Sequence, residues 1–295
     1  MTYKKIAVVG IPGKWSTEAL ADALEEKTDF RLVVDMADVT ADLTTGTLTA
    51  KGVDLTNLDG LVVKKITEVY SPNSLDRLEL LRLAEAAGVR VFSPAVNMLR
   101  LIDRLACTVT LRNGGIPMPE TQVTENVDVA VKAVKTFGAA VFKPLYSTKA
   151  RGMTVIDSTQ PDAEILDAIT AFKAENPMMY IQRKLSLPGQ DLGLVFLGGT
   201  YHGAYARVAK NDAWNTTINS GGNYAPFECD PDVVEMARRA QALFNMDFTT
   251  VDVALTDQGP IVFEVSAFGG FRGAKEGIGI DAAALYADYI LDALS

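Results

Sequence analysis

The sequence predicts a mixed fold in which an α/β unit is followed by α+β units. Short apolar segments alternate with helical patterns over residues 1–95, which is typical of a small parallel sheet. From residue 96 to 184 helices and strands mix in a compact unit, and from residue 185 to 295 strands dominate. The chain has 295 residues, enough to bury a full core. We therefore expect an α/β and α+β protein of two or three units.

The first unit contains four strand candidates: KIAVVG, RLVVDM, GLVVKK and VRVF. Between the last two, Leu75, Leu78, Leu81 and Leu83 follow helical spacing, and the pattern ends at Gly88. Strands and helices that alternate in this way predict a parallel sheet covered by helices.

A phosphate-binding loop is suggested at first sight by the opening segment, VVGIPGKWST. A Walker loop needs two glycines five positions apart, followed by Lys and then Ser or Thr. Here Gly10 and Gly13 are three positions apart, and a tryptophan follows the lysine. We interpret the segment as a strand, a tight turn and a helix that Ser16 or Thr17 caps.

The second and third units show a different order of elements. NMLRLIDRLACTVTLRNGG predicts one long amphipathic helix, and IPMPET an extended turn. The segments that follow predict helix, strand, strand, helix and strand: ENVDVAVKAVKTFG, AAVFKP, GMTVID, DAEILDAITAFKAE and MMYIQRKL. Two long strands, a helix near 233–244, a hairpin and a final helix from about Asp281 complete the chain.

Composition excludes several classes of function. The net charge of −9 disfavours binding to nucleic acid or to an anionic membrane. A single histidine, His202, argues against a Cys/His zinc site, and two distant cysteines, Cys107 and Cys229, form no disulfide framework. No apolar run approaches the ~18 residues of a membrane span, and the first residues lack a secretory signal. We expect a cytoplasmic protein.

A hairpin near the end, FTTVDVALTDQGPIVFEVSAF, holds two carboxylates that face each other. Reflection about the TDQG turn pairs Asp252 with Glu264, with Cβ atoms ~5 Å apart, and places Ser266 on the same face. Two opposed carboxylates are typical ligands of Mg²⁺. Alternatively, this polar face points to solvent. The other face is predicted to join the core through these residues: Val251, Val253, Ile261, Phe263 and Val265.

Two further segments indicate a nucleotide site. Lys143 ends an apolar strand in VFKPLYSTKARGM, and a hydroxyl-rich, basic loop follows it. Such a loop offers N–H groups and positive charge to phosphates, although it could also be a solvated turn. MMYIQRKLSLPGQD is a strand that becomes polar at Gln182 and could hold adenine through backbone groups, or could be a plain edge strand.

These segments occur in the order that is typical of the ATP-grasp superfamily, which the chain resembles over nearly its whole length. Five motifs carry the resemblance: DR at 103–104, GGIPMPET at 114–121, VFKP at 141–144, YIQRKL at 180–185 and VDVALTDQGPIVFEVS at 251–266. The segment NTTINSGG at 215–222, after Arg207, resembles the branch that ligates glutamate to ribosomal protein, cofactors or amino-acid carriers. The late triplet Gly273-Ala274-Lys275 resembles a variant group of the superfamily that carries GAK.

The resemblance implies an ATP-grasp fold with three domains. These are an N-terminal Rossmann-like domain (1–95), a central helix with the lid (96–184) and a C-terminal domain with the metal hairpin (185–295). It also implies an ATP-dependent carboxylate–amine ligase that passes through an acylphosphate and releases ADP and phosphate. ATP and Mg²⁺ are the implied cofactors. The implied partners are a small-molecule or peptide carboxylate, an amine, and further copies of the chain in a dimer or tetramer.

The resemblance also assigns roles to residues. Arg104 and Lys143 contact phosphates, the backbone of residues 182–185 holds adenine, and Asp191 lies near the ribose. The complete set of implied ATP-binding residues is Arg104, Lys143, Lys149, Gln182, Arg183, Lys184, Leu185 and Asp191. Asp252, Glu264 and Ser266 are the implied metal ligands, Arg207 the catalytic residue, and Asn219, Arg272 and Lys275 the substrate-binding residues.

Four departures from the family pattern keep alternatives open. Arg104 replaces a lysine, Ser266 replaces a metal-ligating asparagine, and Asn215 and Thr217 stand where the glutamate-ligase branch has arginine and asparagine. Glutamate is therefore not fixed as the added amino acid. A phosphotransferase that does not ligate, or a regulatory protein that binds nucleotide without turnover, are the alternatives.

Overall fold

A computed structural model of the protein describes residues 4–148, 150–187, 189–209 and 222–295. Its N-terminal part is a four-stranded parallel sheet with spatial order β2-β1-β6-β7. The strands of this sheet are β1 (Ile6–Val9), β2 (Val33–Val34), β6 (Gly60–Val63) and β7 (Arg90–Phe92). Helices α1 (Trp15–Thr28) and α2 (Asn73–Ala86) connect them. β1 and β6 are buried along their whole length, as continuous apolar runs in parallel sheets usually are.

A small antiparallel sheet between β2 and β6 was missed by the sequence analysis. It contains β3 (Thr40–Asp42), β4 (Thr47–Ala50) and β5 (Val53–Asp54). These strands are two to four residues long and rich in threonine. They therefore lack the long alternation of apolar and polar residues that identifies a half-buried strand.

The predicted cap of α1 was wrong. The helix begins at Trp15 with Lys14 at its N-cap, and no side chain caps it among the described residues. The Glu18 carboxylate instead accepts a hydrogen bond from the Gly13 N–H at 2.6 Å. The turn before α1 is thus stabilised from inside the helix, because a negative charge in the first turn interacts well with the helix dipole.

The predicted long helix after β7 is two helices. α3 (Ala95–Ile102) ends and α4 (Arg104–Asn113) begins on either side of Asp103. The backbone of Asp103 is extended, with φ −83° and ψ 114°, and its carboxylate accepts a hydrogen bond from the Leu105 N–H at 2.9 Å. Asp103 is therefore the N-cap of α4, and Arg104 becomes the first residue of that helix.

The lid is an antiparallel sheet with spatial order β10-β9-β11-β8. Its strands and helices are β8 (Thr121–Thr124), α5 (Val127–Phe137), β9 (Ala139–Lys143), β10 (Thr154–Asp157), α6 (Asp162–Glu175) and β11 (Met179–Arg183). α5 and α6 cover the sheet with a core of their own, in which Phe142 packs edge-on against Phe172. The predicted order of helix, strand, strand, helix and strand is confirmed.

The C-terminal part is a five-stranded antiparallel sheet with spatial order β14-β13-β12-β15-β16. Its elements are β12 (Gln190–Leu197), β13 (Thr200–Val208), β14 (Asn223–Phe227), α7 (Pro231–Ala242), β15 (Phe248–Thr256), β16 (Gly259–Val265), α8 (Phe271–Ile278) and α9 (Ala282–Ala293). α7 packs on one face, whereas α8 and α9 pack on the other and also contact α1. α8 was missed because the glycines of its sequence suggested a flexible loop.

Glycines of α8 make room for Tyr205, a buried side chain of β13. A Cβ atom on Gly273 would lie 2.3 Å from the ring carbon Cζ of Tyr205, and one on Gly277 would lie 2.4 Å from its Cβ. Gly193 of β12 faces the same ring at 2.4 Å. The helix can therefore lie close to the sheet only because these positions lack side chains. No helix of the described residues is long and apolar enough to cross a membrane.

Gly273→Ala is expected to lower the free energy of unfolding by about 1–3 kcal/mol, the usual cost of an overpacked core. Chemical denaturation measures this change. Gly60→Ala is the control, because a Cβ there meets its nearest atom at 3.4 Å, an ordinary contact. Adding Tyr205→Leu to Gly273→Ala should recover part of the loss. Equal stability of Gly273→Ala and the wild type would contradict the close packing of α8.

Candidate active site

The register of the five-stranded sheet places the main candidate residues on one face. Asp191 of β12 lies opposite Arg207 of β13, and Asp252 of β15 lies opposite Glu264 of β16. Gly193, two residues after Asp191, lies opposite Asp252 and so joins the two pairs. Because side chains alternate along a strand, all four charged groups lie on the same side. The predicted opposition of Asp252 and Glu264 is confirmed.

The hairpin differs from the prediction beyond this pair. A shift in register just after Asp252 brings Val262, not Phe263, opposite Val253. Val262 is therefore buried, whereas Ile261 and Phe263 are only partly buried. The prediction of Ile261 and Phe263 as core residues was wrong, because a bulge inserts one residue and reverses the alternation beyond it.

Arg207 is held between two carboxylates. Its Nε atom lies 3.1 Å from both carboxylate oxygens of Asp191, and its Nη2 atom lies 2.9 Å from Asp252 Oδ2. Burial opposes the charge of the guanidinium, but Asp252 and Asp191 raise the pKa of Arg207 above its ordinary value. The sequence predicted Asp191 beside a ribose. In the structure its buried carboxylate orients Arg207, and a contact with ribose stays a prediction.

The carboxylate of Asp252 has one buried oxygen, Oδ1, without a hydrogen-bond partner among the described residues. Burial raises the pKa of Asp252 to about 7, Arg207 opposes this shift and Glu264 adds to it. A buried carboxylate oxygen without a partner is unfavourable. A cation between Asp252 and Glu264 would supply the missing interaction, and the carboxylate of Glu264 is 44% exposed, so it can reach such a cation.

The donor set matches Mg²⁺ better than a transition metal. Within the described residues no group of three or more His, Cys, Asp and Glu side chains could hold a metal ion. Two carboxylates suffice for Mg²⁺, which usually takes its remaining ligands from water and substrate phosphates. The backbone of Ser266 is fully used, since its N–H donates to Thr250 and its carbonyl accepts from Thr249 Oγ1. Its hydroxyl as a metal ligand stays a prediction.

Two cations, Lys143 and Arg104, interact with Glu264 of the acidic pair. Lys143, the last residue of β9, donates from Nζ to Gln182 Oε1 at 2.5 Å, and its ammonium lies 5.4 Å from the ring centroid of Phe263. Burial and the charge of Arg104 lower the pKa of Lys143 to about 7, and Glu264 opposes this shift. An anion such as a phosphate would therefore stabilise the charged form of Lys143.

Arg104 connects the hairpin with the lid. Its Nη1 atom lies 3.3 Å from Glu264 Oε2, and its Nε donates to the Pro144 carbonyl at 3.2 Å. The Arg104 N–H also donates to the carbonyl of Leu145. One residue thus contacts both a proposed metal ligand and the loop that follows Lys143, and a shift of either side would alter its position.

The proposed adenine segment uses part of its backbone within the protein. The N–H groups of Arg183 and Lys184 donate to Glu120 and Ala139 carbonyls at 2.9 Å. No acceptor for the Leu185 N–H is found in the described part of the chain. Contact of the Leu185 N–H with adenine stays a prediction, as does the adenine role of the whole segment.

Side chains of the same segment have structural partners. Arg183 pairs with Glu120 and donates to the Phe137 carbonyl, so its guanidinium points toward the lid helix. Gln182 accepts from Lys143 and donates from Nε2 to Thr121 Oγ1 and to the Tyr180 hydroxyl, both at 3.2 Å. Gln182 therefore fixes the ammonium of Lys143.

The remaining predicted residues are not brought to this cluster. Arg272 is exposed on α8 and pairs with Glu276, and Lys275 lies over the ring of Trp15 at 5.4 Å. No contact links either side chain to the acidic pair in the part of the chain that the structure describes. Lys149 and Asn219 lie outside the described residues, so their predicted roles stay predictions.

Two residues near the site were missed by the sequence analysis. Tyr205 shares the face of Arg207, two positions away on β13, and its ring fills the gap opposite Gly193. Lys64 follows β6 and is buried. The signal for Lys64 was present, because a lysine directly after a buried parallel strand lies at the edge of the sheet where ligands usually bind.

A search against protein families gives a match for the RimK-like ATP-grasp domain over residues 102–290. The chain belongs to this family. Membership confirms the predicted ATP-grasp fold and the predicted class of enzyme, an ATP-dependent carboxylate–amine ligase. The match begins at the end of α3 and includes every residue of the acidic and basic cluster described above.

Curated relatives cover the whole chain. It is 25% identical to the tetrahydromethanopterin:alpha-L-glutamate ligase of Methanosarcina acetivorans, and the match covers 99% of this chain and 100% of that protein. It is 24% identical to a probable alpha-L-glutamate ligase of Methanococcoides burtonii, over 97% of this chain and 95% of that protein. The chain is thus similar to these ligases from end to end.

Solved structures share the fold at low sequence identity. The ATP-grasp ligase PsnB, complexed with a phosphomimetic variant of its minimal precursor, Mg and ADP, superposes with a TM-score of 0.77 and 15% identity. That match covers 100% of both chains. D-cycloserine synthetase DcsG superposes with a TM-score of 0.77 and 16% identity, over 98% of this chain and 99% of that one.

Lys143→Met is expected to weaken binding of an ATP analogue roughly tenfold or more, because a charge-assisted hydrogen bond contributes about 1.5–3 kcal/mol. Isothermal titration calorimetry with AMPPNP measures the affinity. Lys184→Met is the matched control, since the Lys184 side chain is exposed and its predicted role depends on the backbone alone. Equal affinities in the Lys143 variant and the wild type would remove Lys143 from the nucleotide site.

Proposed function

We propose that this protein activates a substrate carboxylate as an acylphosphate and then joins it to an amine. The observation that carries the proposal is the Asp252–Glu264 pair, whose one buried oxygen lacks a partner, facing Lys143 and Arg104. Carboxylates and cations that lie this close together suit a nucleoside triphosphate with its metal ion. Asp252 and Glu264 would hold Mg²⁺, which supplies neutralisation of phosphate charge and polarises the transferred phosphoryl group.

In the first step an oxygen of the substrate carboxylate attacks the γ-phosphorus of ATP. The bond from that phosphorus to the β–γ bridging oxygen breaks, and ADP leaves. Lys143 and Arg104 would bind phosphate oxygens, and Gln182 would keep the ammonium of Lys143 in place. This chemistry depends on positioning and charge more than on a protein nucleophile.

In the second step the amine nitrogen attacks the carbonyl carbon of the acylphosphate. The carbon–oxygen bond to phosphate breaks, the nitrogen loses a proton, and an amide and inorganic phosphate result. Arg207 would stabilise the negative charge that develops on the carbonyl oxygen. Asp191 would act as its positioning residue, because it binds Nε and fixes the plane of the guanidinium.

The relatives guide the choice of substrates. Two are named as alpha-L-glutamate ligases, so we propose L-glutamate as the first amine to test. A structure of PsnB is described in complex with a precursor peptide, so the acid can be sought among peptides as well as small molecules. The dimeric or tetrameric state and the cytoplasmic location stay predictions.

Glu264→Gln is expected to reduce Mg²⁺-dependent phosphate release by a factor of about 100 or more, in line with the loss of several kcal/mol of transition-state stabilisation. Release is measured in the presence of both an acid and an amine. Asp257→Asn, at the exposed turn of the same hairpin, should keep wild-type activity. Full activity of Glu264→Gln in well-folded protein would contradict the metal assignment.

A further inference from the structure

Lys64 is a buried lysine without a carboxylate partner among the described residues. Its Nζ donates to the Gly269 carbonyl at 2.7 Å and lies 4.2 Å from the ring centroid of Phe271. The residue is 6% exposed. Burial and repulsion by Lys65 lower the pKa of Lys64 to about 7. An ammonium has three N–H donors, and here one is used by a neutral carbonyl.

The N-terminus of α8 lies beside this ammonium. Phe271, which contacts Lys64, is the first residue of α8, and the N-cap Gly270 provides no side-chain hydrogen bond. The N–H groups of a first helical turn carry partial positive charge and need acceptors. The ammonium of Lys64 therefore lies beside the uncapped N-terminus of α8. Helix N-termini bind anions in many proteins, because their N–H groups and the helix dipole attract negative charge.

The segment between β1 and α1 also lies close to Lys64. The Lys64 N–H donates to the Val9 carbonyl at 2.8 Å, which puts Lys64 beside the end of β1. Thr17 of α1 packs against the following residue, since a Cβ on Gly10 would lie 2.6 Å from Thr17 Oγ1. That hydroxyl is buried and has no hydrogen-bond partner among the described residues. The opening segment VVGIPGKWST is not a Walker loop, but its strand end lies next to the positively charged Lys64.

Strand β15 links the surroundings of Lys64 with the Asp252–Glu264 pair, because it contacts Gly269 near its start and carries Asp252. Gly269 packs on Thr249, since a Cβ on Gly269 would lie 3.0 Å from the Thr249 carbonyl carbon. Thr249 is three residues before Asp252, so the two are about 10 Å apart along the strand. A substrate would contact both places only if it, the transferred phosphate and the metal ion together span this distance.

We propose that Lys64 and the N-terminus of α8 bind a carboxylate of a substrate that is an amino acid or a short dicarboxylate. The inference rests on the proposed function, because that function puts the reacting group at the metal pair. A carboxylate has two oxygens, so it can accept from the ammonium and from the helix N–H groups together. Its charge would also offset the cost of keeping Lys64 charged in a buried position.

Calorimetric titration of the full chain, saturated with Mg²⁺ and AMPPNP, tests this proposal with L-glutamate and glutarate as probes. The wild type is expected to bind at least one of them. Lys64→Met should weaken that binding tenfold or more, and Lys64→Arg should retain part of it. Lys5→Met, at an exposed lysine of the same N-terminal unit, is the control and should bind as the wild type does.

The titrations distinguish failure of the proposed function from failure of the proposed role of Lys64. AMPPNP should bind Lys64→Met as it binds the wild type, and failure of the wild type to bind AMPPNP would contradict the proposed function. Equal probe binding in Lys64→Met and the wild type would overturn the role of Lys64. Absence of binding of both probes to the AMPPNP-loaded wild type would overturn it as well.

Thermal unfolding distinguishes a ligand role from a structural one. Replacing Lys64 by methionine removes a buried charge, but it also leaves the Gly269 carbonyl without its donor, which is destabilising. Lys64→Met is therefore expected to have a lower Tm, and the probe, which should raise the Tm of the wild type, should not raise that of the variant. A lower Tm with unchanged probe affinity would show that Lys64 only ties Gly269 to the parallel sheet, and would overturn the proposal.

Discussion

The buried carboxylate of Asp252 is the group on which the rest of the site depends. One of its oxygens binds Arg207, and the other has no partner among the described residues. Burial of such a group is costly unless a charge compensates it. Arg207 compensates the charge at one oxygen of Asp252, and the other oxygen is available to a ligand. We propose that a cation held by Asp252 and Glu264 would complete the compensation.

The antiparallel sheet makes this arrangement possible. One face of β12, β13 and β15 has two parts. It is apolar where α8 and α9 cover it, and on the other side of Gly193 it carries the charged residues Asp191, Arg207 and Asp252. Tyr205 lies at this boundary, and its ring occupies space that glycines of β12 and α8 leave open. The same face thus anchors the sheet to the N-terminal unit and carries the charged groups. A change in the packing of α8 would be transmitted to Arg207 within two residues of β13.

The sequence allowed much of the fold and the acidic pair to be predicted, because both depend on local periodicity. Parity along the hairpin was enough to place Asp252 opposite Glu264. It failed beyond that pair, because the bulge that makes Val262 a core residue has no signature in the apolar pattern. The prediction of one continuous helix across Asp103 failed for a related reason. A capping side chain ends one helix and starts the next without interrupting the apolar stripe that both helices share.

Other features needed the tertiary structure. Asp191 and Arg207 are sixteen residues apart and meet through strand pairing, so their ion pair could not be predicted from the sequence, whereas the ribose contact of Asp191 stays a prediction. α8 contains two glycines, which disfavour a helix, and their role becomes clear from the side chain of Tyr205 that packs against them. Lys64 contacts Gly269, 205 positions later in the chain, which no local pattern could indicate.

The most direct test of the account is a titration of Mn²⁺, a spectroscopic substitute for Mg²⁺, followed by electron paramagnetic resonance in the presence of AMPPNP. The wild type is expected to bind Mn²⁺, and Asp252→Asn is expected to lose this binding while its circular dichroism spectrum is unchanged. Equal Mn²⁺ affinity in Asp252→Asn and the wild type would contradict the claim that the unpartnered oxygen of Asp252 is a metal ligand.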